Sequence, residues 1–203
     1  ALDSVLMQKV NFPIEIIISD DCSTDATPQI LQEYAVVHPD VVKPILGKQN
    51  VGYPNNQRRS LEAATGKYIA LCDSDDYWTD PNKMQMQVDF MEAHPECVIC
   101  HTNTDILHMN TGTIKPCNKR DVPEGMILHD VMGGREQMTS STMCLRAEAV
   151  KQHIPFEMYV KEDFPCEDWP TIAILSAYGE IRYLPQSTTV YRVGQAKIGR
   201  AHV

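Results

Sequence analysis

Apolar and polar positions along the chain follow two different repeats. Residues 14–18 and 68–71 are short and largely apolar runs, which is typical of buried strands. After Asp25, by contrast, apolar side chains recur with the spacing of one helix face, and Pro28 lies where a helix would begin. The apolar positions of this predicted helix are Ile30, Leu31, Tyr34 and Val37.

The same patterns over the whole chain predict an alternation of strands and helices. Strands are expected at residues 14–18, 41–46, 68–71, 98–102, 141–145, 181–184 and 188–193. Helices are expected over residues 1–6, from 25, over 55–65, from 80, from 146 and over 168–177, with a hairpin turn at 111–112. Because strand and helix alternate early, we predict an α/β fold. Its Rossmann-like mixed, mostly parallel sheet would be flanked by helices.

Composition and charge narrow the class of protein. The 203 residues are enough for one domain with a sizeable core. The net charge of −9 argues against a nucleic-acid partner, which would need a basic face. No apolar run reaches the ~20 residues that span a bilayer. The seven cysteines are scattered and odd in number, so we expect reduced thiols and a cytoplasmic protein.

Two acidic clusters come directly after predicted strands. Asp20 and Asp21 follow the first strand, and the run Asp73-Ser74-Asp75-Asp76 follows the third. Ligands of open α/β sheets bind at the carboxyl ends of strands, and parallel strands would bring both clusters to one edge. One cluster could then hydrogen-bond a base or ribose, while the other could hold Mg²⁺ or Mn²⁺ against a diphosphate.

Each acidic cluster also has a simpler interpretation, in which an aspartate caps the next helix. For Asp20 and Asp21 alone the two interpretations are equally good. Capping explains the second run less well, because a cap needs one aspartate and this run has three. A third acidic pair, Glu167 and Asp168, precedes Trp169 at the start of a predicted helix. It could supply a general base, or it could be an ordinary acidic first turn.

The stretch from Cys97 to His101 has the Cys-x-x-Cys-His spacing of c-type haem attachment. Its intervening residues are apolar, and its flanks have the pattern of a strand. We therefore interpret it as part of a core strand, in preference to a haem or zinc site.

The order of these segments resembles that of the family 2 inverting glycosyltransferases, which have a nucleotide-sugar-binding GT-A fold. The resemblance extends from residue 1 to about residue 193 and is densest before residue 90. Each motif alone is moderately specific, whereas their order and spacing together are highly specific. The matching stretches are residues 1–8, 15–25, 50–52, 64–78, 81–83, 167–169 and 190–192.

The resemblance implies a role for each acidic cluster. Asp20 or Asp21 would bind the nucleoside of a nucleotide-diphosphate sugar. Asp73 and Asp75 would form an Asp-x-Asp motif that binds Mn²⁺ or Mg²⁺ and the ribose, with Asp75 touching the metal. Asp168 would be the general base that deprotonates an acceptor hydroxyl for a single inverting displacement. The other residues implied at the site are Glu167, Ser74, Asn50, Gly52, Asn56 and Arg58.

The resemblance also implies a cellular setting. The acceptor would be a glycan or a lipid-linked sugar of bacterial cell-envelope polysaccharide biosynthesis. The enzyme would then work in the cytoplasm or as a peripheral protein at the inner face of the membrane. Two departures qualify the match. Gln57 and Arg58 stand where many members have Arg-Asn, which weakens Arg58 as a phosphate contact. The absence of a Gln-x-x-Arg-Trp segment argues against a processive polymer synthase.

Both ends of the chain differ from the pattern of the family. The family's first strand ends in a Pro-Thr-Tyr-Asn-like segment, which would lie before residue 1. We therefore expect residues 1–193 to form a single, amino-terminally truncated domain with an exposed sheet edge. Residues 194–203 are expected to be a non-native tail, because residues 198–203 can be encoded by a sequencing adapter. A genomic continuation of the source read in the same frame would contradict this hypothesis.

Two other functions remain open from the sequence. A sugar-phosphate nucleotidyltransferase can share the sheet architecture, although segments 167–169 and 190–192 favour a glycosyltransferase. A catalytically silent nucleotide-sugar-binding domain would bind its ligand without turnover. The carboxylates at three clusters count against it, because unused buried carboxylates would only destabilise the fold.

Overall fold

The computed structural model describes residues 1–117, 119–135, 137–162 and 168–194. Its helices are α1 (Leu2–Leu6), α2 (Thr27–Val37), α3 (Tyr53–Ala63), α4 (Lys83–Ala93), α5 (Leu128–Met132), α6 (Ala147–His153), α7 (Phe156–Lys161) and α8 (Asp168–Leu175), with a 3-10 turn at Ser140–Thr142. Its strands are β1 (Ile16–Asp20), β2 (Val42–Leu46), β3 (Tyr68–Ala70), β4 (Tyr77–Trp78), β5 (Cys97–His108), β6 (Thr113–Pro116), β7 (Met143–Arg146) and β8 (Glu180–Val193).

Most of the predicted elements correspond to these, but β4, α5 and α7 were not predicted, and the strand predicted at 141–145 begins only at Met143, after the 3-10 turn. The strand predicted at 98–102 continues to His108 as β5. The two late strands predicted at 181–184 and 188–193 are a single 14-residue strand, β8. The polar residues between them interrupt the apolar pattern, but the backbone remains paired with β5. The predicted hairpin is confirmed, because β5 and β6 pair antiparallel on either side of residues 111–112.

The chain divides into two compact units. Within the described residues, the first unit contains 1–11, 67–154 and 168–194, and the second contains 12–66 and 155–162.

The second unit is built on the parallel pair β1–β2, in which Ile16 lies opposite Val42 and Asp20 lies opposite Leu46. Helices α2 and α3 pack on this pair. The buried apolar residues are Ile16, Ile18, Leu31 and Val42. Asp20 is the last residue of β1, so the predicted strand-end position of this aspartate is confirmed.

The first unit contains a mixed sheet with the strand order β3-β7-β5-β8-β4, and β6 pairs with β5. The α/β class and the mixed sheet flanked by helices are confirmed. Parallel pairing occurs at β5–β8 here and at β1–β2 in the second unit, whereas the other pairs are antiparallel. Fewer pairs are parallel than predicted, because β6 returns from β5 through a hairpin turn and β7 pairs antiparallel with both β5 and β3.

Strand β5 is the central strand of this core. Cys97 and Cys100 are fully buried and pack with Met91 and Cys144, while His101 stacks on Tyr183 at a ring-centroid distance of 5.0 Å. These contacts support the interpretation of this segment as a core strand. In the part of the chain that the structure describes, every helix is too short or too polar to cross a bilayer.

The pairing of β5 with β8 is irregular in its middle. His101 lies opposite Tyr183 and Asp105 lies opposite Val190, so four steps along β5 correspond to seven along β8. Two register shifts flank Asn103, and another lies between Cys97 and Ile99. Such bulges redirect the strand beyond them, and here the redirected part of β8 reaches the acidic loop between β3 and β4.

Candidate active site

The acidic run lies in the loop between β3 and β4. The loop is a tight turn in which the backbone N–H of Asp76 donates to the carbonyl of Asp73 over 3.0 Å. The next helix, α4, begins only at Lys83, with Asn82 before it. The capping interpretation of this run is therefore wrong, and its three carboxylates have other roles.

Two serines of the 3-10 turn hold this loop from the side. The Ser141 hydroxyl lies 2.9 Å from Oδ2 of Asp76 and accepts the backbone N–H of Asp73 over 3.0 Å. The Ser140 hydroxyl contacts Oδ2 of Asp73. The indole Nε1 of Trp78 donates to the carbonyl of Ser141 over 3.0 Å, which fixes the turn against β4.

Asp168 joins the same group of side chains. It is the first residue of α8 and is half-buried. Burial raises the pKa of Asp168, and the neighbouring Ser140 hydroxyl partly opposes that rise. The other predicted catalytic residue, Glu167, lies outside the described residues.

The end of β8 brings an arginine and a tyrosine to this loop. The backbone N–H of Arg192 donates to Oδ1 of Asp76 over 3.0 Å, and its guanidinium Nη1 donates to the carbonyl of Asp75 over 2.7 Å. The guanidinium also lies over the ring of Tyr77, 4.9 Å from its centroid. Burial raises the pKa of Tyr191, as does the negative charge of the neighbouring carboxylates. Those carboxylates are Asp76, Asp75, Asp73 and Asp168.

Sequence reasoning missed several residues of this group. Ser141 stood at the start of the strand predicted at 141–145 and Ser140 just before it, so neither was marked as a site residue; the structure has a 3-10 turn here. Asp76 was recognised as part of the acidic run, but it was not assigned a role. Tyr191 and Arg192 fell within a stretch that matched the family pattern, and that match was the only signal for them.

The three carboxylates of the loop differ in their availability to a cation. Asp76 is buried, both of its oxygens accept hydrogen bonds, and burial raises its pKa to about 6. Asp73 is half-buried and held by the serines. Asp75 is exposed, and its side chain forms no hydrogen bond or ion pair with the described residues. Mg²⁺ and Mn²⁺ sites that rely on substrate phosphates need only one or two protein carboxylates, so Asp75 with Asp73 fits such an ion. Within the described ranges, no group of three or more His, Cys, Asp or Glu side chains is arranged to hold a metal.

In the second unit, Asp21 organises the loop before α3. Its two carboxylate oxygens accept the backbone N–H groups of Val51 and Gly52 over 2.8 and 2.9 Å. The side-chain oxygen of Asn50 accepts the same Gly52 N–H over 3.1 Å. Gly52 has a φ of 82°, a conformation that favours glycine, and it immediately precedes α3. Asp21 and Asn50 therefore shape the segment that was predicted to lie beside a nucleotide.

Asp20 is engaged differently from its neighbour. One of its oxygens accepts the backbone N–H of Ser23 over 3.1 Å, while Oδ1 is buried without a hydrogen-bond partner among the described residues. Asn56 is buried and fastens α3 to β1, because it donates to the Ser19 carbonyl over 2.7 Å and accepts the Ser19 hydroxyl over 2.6 Å. Arg58 pairs with Glu62 on the helix surface. The nucleotide-binding role of these residues remains a prediction.

The sequence profile of glycosyl transferase family 2 matches residues 1–153. The chain belongs to glycosyl transferase family 2. This family 2 chain is 35% identical over 196 residues to the uncharacterized protein Rv1520 of Mycobacterium tuberculosis. The alignment covers 95% of the chain and 54% of the relative. It is 40% identical over 119 residues to TuaG of Bacillus subtilis, named as a teichuronic acid biosynthesis glycosyltransferase, with 58% of the chain and 45% of TuaG covered.

Solved structures of glycosyltransferases share the fold of this family 2 chain. TarS residues 1–349 of Staphylococcus aureus, solved in complex with UDP, superposes with a TM-score of 0.64 at 22% identity, covering 95% of this chain and 55% of TarS. The mannosyltransferase PcManGT of Pyrobaculum calidifontis, solved with GDP-Man and Mn²⁺, superposes with a TM-score of 0.68 at 18% identity, covering 96% and 52%. The predicted GT-A fold is confirmed. The chain spans about half the length of the curated relatives and solved structures it matches.

Proposed function

We propose that this family 2 chain carries the transfer site of an inverting, metal-dependent glycosyltransferase, which moves a sugar from a nucleotide-diphosphate sugar to an acceptor hydroxyl. The observation that carries the proposal is that the acidic loop, with the exposed carboxylate of Asp75 and with Asp73 held by Ser140, lies in the same unit of the fold as the half-buried Asp168. Metal-binding and proton-accepting groups thereby lie within one unit of the fold.

Asp75, with Asp73 beside it, would hold Mn²⁺ or Mg²⁺. A bound divalent ion would neutralise negative charge on the departing nucleoside diphosphate. The fit rests on the exposure of Asp75 and on the tight turn that joins Asp73 to Asp76. The Mn²⁺ in the PcManGT complex supports the choice of cation.

Asp168 would accept the proton of the acceptor hydroxyl. Burial favours the protonated form of a carboxyl group, so the raised pKa of Asp168 makes its carboxylate a stronger base than an exposed aspartate. Proton removal would leave the acceptor oxygen free to attack the anomeric carbon from the side opposite the leaving group. One displacement of this kind inverts the anomeric configuration.

Arg192 and Tyr191 would maintain the loop during this step. Arg192 holds the backbone carbonyl of Asp75 and the side-chain carboxylate of Asp76 through two hydrogen bonds, so the exposed carboxylate of Asp75 stands on a fixed turn. The guanidinium also offsets part of the negative charge of the loop. Tyr191 is 39% exposed among the four carboxylates and could hydrogen-bond a sugar hydroxyl.

The setting we propose is cell-envelope polysaccharide biosynthesis, with a glycan or lipid-linked acceptor reached from the cytoplasm or from the inner face of the membrane. The name of TuaG supports this class of product. The UDP-, UDP-GlcNAc- and GDP-Man-bound relatives support a nucleotide-sugar donor. Asp20, together with the Asn50–Gly52 segment, is proposed to contact the nucleoside.

The decisive test is release of nucleoside diphosphate from a panel of UDP- and GDP-sugars by the complete gene product, with Mn²⁺ and with a chelator. Asp75→Ala and Asp168→Ala should each lower release by about 100-fold. Asp40→Ala removes an exposed aspartate of the α2–β2 turn and should have no effect. NMR of the glycoside product should show an inverted anomeric centre.

Other results would point to other functions. Release that survives both Asp75→Ala and chelation would contradict the metal assignment. Metal-dependent donor binding without turnover of any donor, even with added acceptors, would favour the silent binding domain. Formation of a nucleotide sugar from a nucleoside triphosphate and a sugar phosphate would identify a nucleotidyltransferase.

A further inference from the structure

Arg59 of α3 reaches the carboxyl ends of the two strands of the second unit. A Cβ added at Gly47, directly after β2, would lie 3.2 Å from Nη1 of Arg59 and 3.2 Å from the backbone N of Cys22. The same Cβ would lie 2.7 Å from the carbonyl oxygen of Asp20, the last residue of β1. These three atoms therefore surround one point, and the absence of a side chain at Gly47 leaves room for the guanidinium there. Ligands of α/β folds bind outside the carboxyl ends of strands, which is where this group lies.

The helix that carries Arg59 is fastened to β1. Asn56 donates to the Ser19 carbonyl over 2.7 Å and accepts the Ser19 hydroxyl over 2.6 Å. Residues three apart on a helix share a face. Arg59 therefore extends from the same side of α3 as Asn56, and the approach of its guanidinium to the end of β1 follows from that contact.

Two hydrogen-bonding groups at this place lack a partner. Nη1 of Arg59 and Oδ1 of Asp20 are both buried without a hydrogen-bond partner among the described residues. Asp20 is only 4% exposed, and its other oxygen, Oδ2, accepts the backbone N–H of Ser23 over 3.1 Å. Buried polar groups are costly when they are left unpaired. A free donor and a free acceptor at one strand end therefore indicate a ligand that offers an acceptor and a donor of its own.

We infer that Arg59 donates a hydrogen bond to the nucleoside of the nucleotide-sugar donor, while Oδ1 of Asp20 accepts an N–H or O–H group of the same nucleoside. The inference rests on the proposed function, because it names a further contact of the same donor. Arg58, the arginine indicated by the sequence, is engaged otherwise, since its Nε donates to Glu62 over 2.6 Å on the surface of α3.

The charges at this place favour the nucleoside over the diphosphate. Asp20 and Asp21 are adjacent, and the two oxygens of Asp21 already accept the backbone N–H groups of Val51 and Gly52. Two carboxylates beside one guanidinium would repel a phosphate group. A base and a ribose are uncharged and offer carbonyl, N–H and hydroxyl groups, which can pair with both a guanidinium and a carboxylate.

Isothermal titration calorimetry of the complete gene product with UDP, GDP and pyrophosphate, each with Mn²⁺, tests the inference without turnover. Arg59→Ala should weaken the binding of whichever nucleotide the unaltered protein binds by about 10-fold, the loss expected for a hydrogen bond from a charged group. Pyrophosphate binding should stay unchanged. Arg120→Ala removes an exposed arginine of the first unit and should affect neither ligand. Arg59→Gln replaces Arg59→Ala if circular dichroism shows that the latter does not fold.

Arg58→Ala examines the competing arginine and should weaken nucleotide binding less than Arg59→Ala. Equal losses in these two variants, an unchanged nucleotide affinity in Arg59→Ala, or a matching loss of pyrophosphate affinity would overturn the inference. If the unaltered protein binds a nucleotide but turns over no donor, the proposed function fails, and the affinities still decide the role of Arg59. If a donor is turned over while Arg59→Ala binds the nucleotide normally, the proposed function stands and the inference fails.

Discussion

The backbone N–H of Arg192 donates to the carboxylate of Asp76 over 3.0 Å, and so joins residues that are 116 positions apart in the chain. The other oxygen of Asp76 lies 2.9 Å from the Ser141 hydroxyl. Asp76 is therefore a buried junction of β8, the acidic loop and the 3-10 turn. Its neighbour Asp75 points away from these contacts and is exposed. Two adjacent aspartates thus have separate tasks, one structural and one proposed to be chemical.

This division predicts that two similar substitutions differ in their effects on stability and on activity. Asp76→Asn places an amide group against donors and should lower the free energy of unfolding by about 1–3 kcal/mol. Asp75→Asn should change it by no more than ~0.5 kcal/mol, because its side chain is exposed. Metal-dependent release of nucleoside diphosphate should be lost in Asp75→Asn. Urea unfolding monitored by circular dichroism gives both free energies, and a larger destabilisation by Asp75→Asn would refute the assignment.

Glu15 should make the second unit sensitive to acid. Burial alone would raise the pKa of this carboxylate, but hydrogen bonds from Lys43 and from the backbone and hydroxyl of Thr65 lower it from 4.5 to about 2. The ionised form therefore stabilises the fold above pH 4.5, and this contribution is lost as the pH falls from about 4.5 to about 2.

Unfolding of the chain and of Glu15→Gln should be compared at pH 7 and pH 3. The difference in free energy between them should shrink at the lower pH. Lys43→Met removes only the exposed partner of the ion pair and should cost less than about 1 kcal/mol. A difference between the chain and Glu15→Gln that is independent of pH would show that the carboxylate charge is not stabilising.

His101 should produce a second pH dependence at higher pH. Burial, helped by the positive charge of Lys119, lowers the pKa of this ring from 6.5 to about 3. The unfolded chain binds a proton at His101 below about pH 6.5 and the folded chain does not, so stability should fall as the pH decreases from there. His101→Phe keeps a ring against Tyr183 and removes the titration. The free energy of unfolding of the variant, relative to that of the unaltered chain, should therefore increase as the pH falls from 7.5 to 5.5. Equal slopes of the two free energies against pH would contradict this prediction.

Lys83 should make the stability of the fold depend on pH in the alkaline range. Its ammonium is fully buried beside the side-chain oxygen of Gln87 at 2.5 Å and over the ring of Trp78, and burial lowers its pKa from 10.5 to about 8. Between these two values the unfolded chain binds more protons, so the contribution of Lys83 to stability should rise with pH. Urea unfolding of the chain and of Lys83→Met from pH 7 to pH 10.5 measures this difference. A constant difference would show that Lys83 keeps its ordinary pKa in the fold.

Local patterns were sufficient to predict the elements and the acidic loop. The apolar run before Asp73 identified β3, and three carboxylates at its end could be recognised from their neighbours in the sequence. The contact of Asp73 with Ser140 could not be predicted from the sequence, because 67 residues separate the two and a serine has no preferred partner that its sequence neighbours would reveal. The structural task of Asp21 was equally hidden, since the N–H groups it accepts lie 30 and 31 residues further on.

The pattern of β8 misled the prediction for a physical reason. Pro185, Gln186 and Ser187 interrupt its apolar alternation, and such an interruption usually marks a loop. Here the polar residues fall in the irregular part of the pairing with β5, where the extra residues need not alternate between two faces. Only the partner strand, which comes some 80 residues earlier, shows that the chain continues as one strand.

The irregular pairing of β5 and β8 also constrains how the gene can change. If the register at Thr102 and Leu184 continued without interruption, Leu107 would face Thr189, whereas it faces Arg192. A deletion that removed the surplus residues would therefore withdraw Arg192 from Asp75 and Asp76 without altering any residue of the acidic loop. The spacing between Leu184 and Thr189 should tolerate exchanges of residue type far better than insertions or deletions, so that its length behaves as part of the proposed catalytic motif.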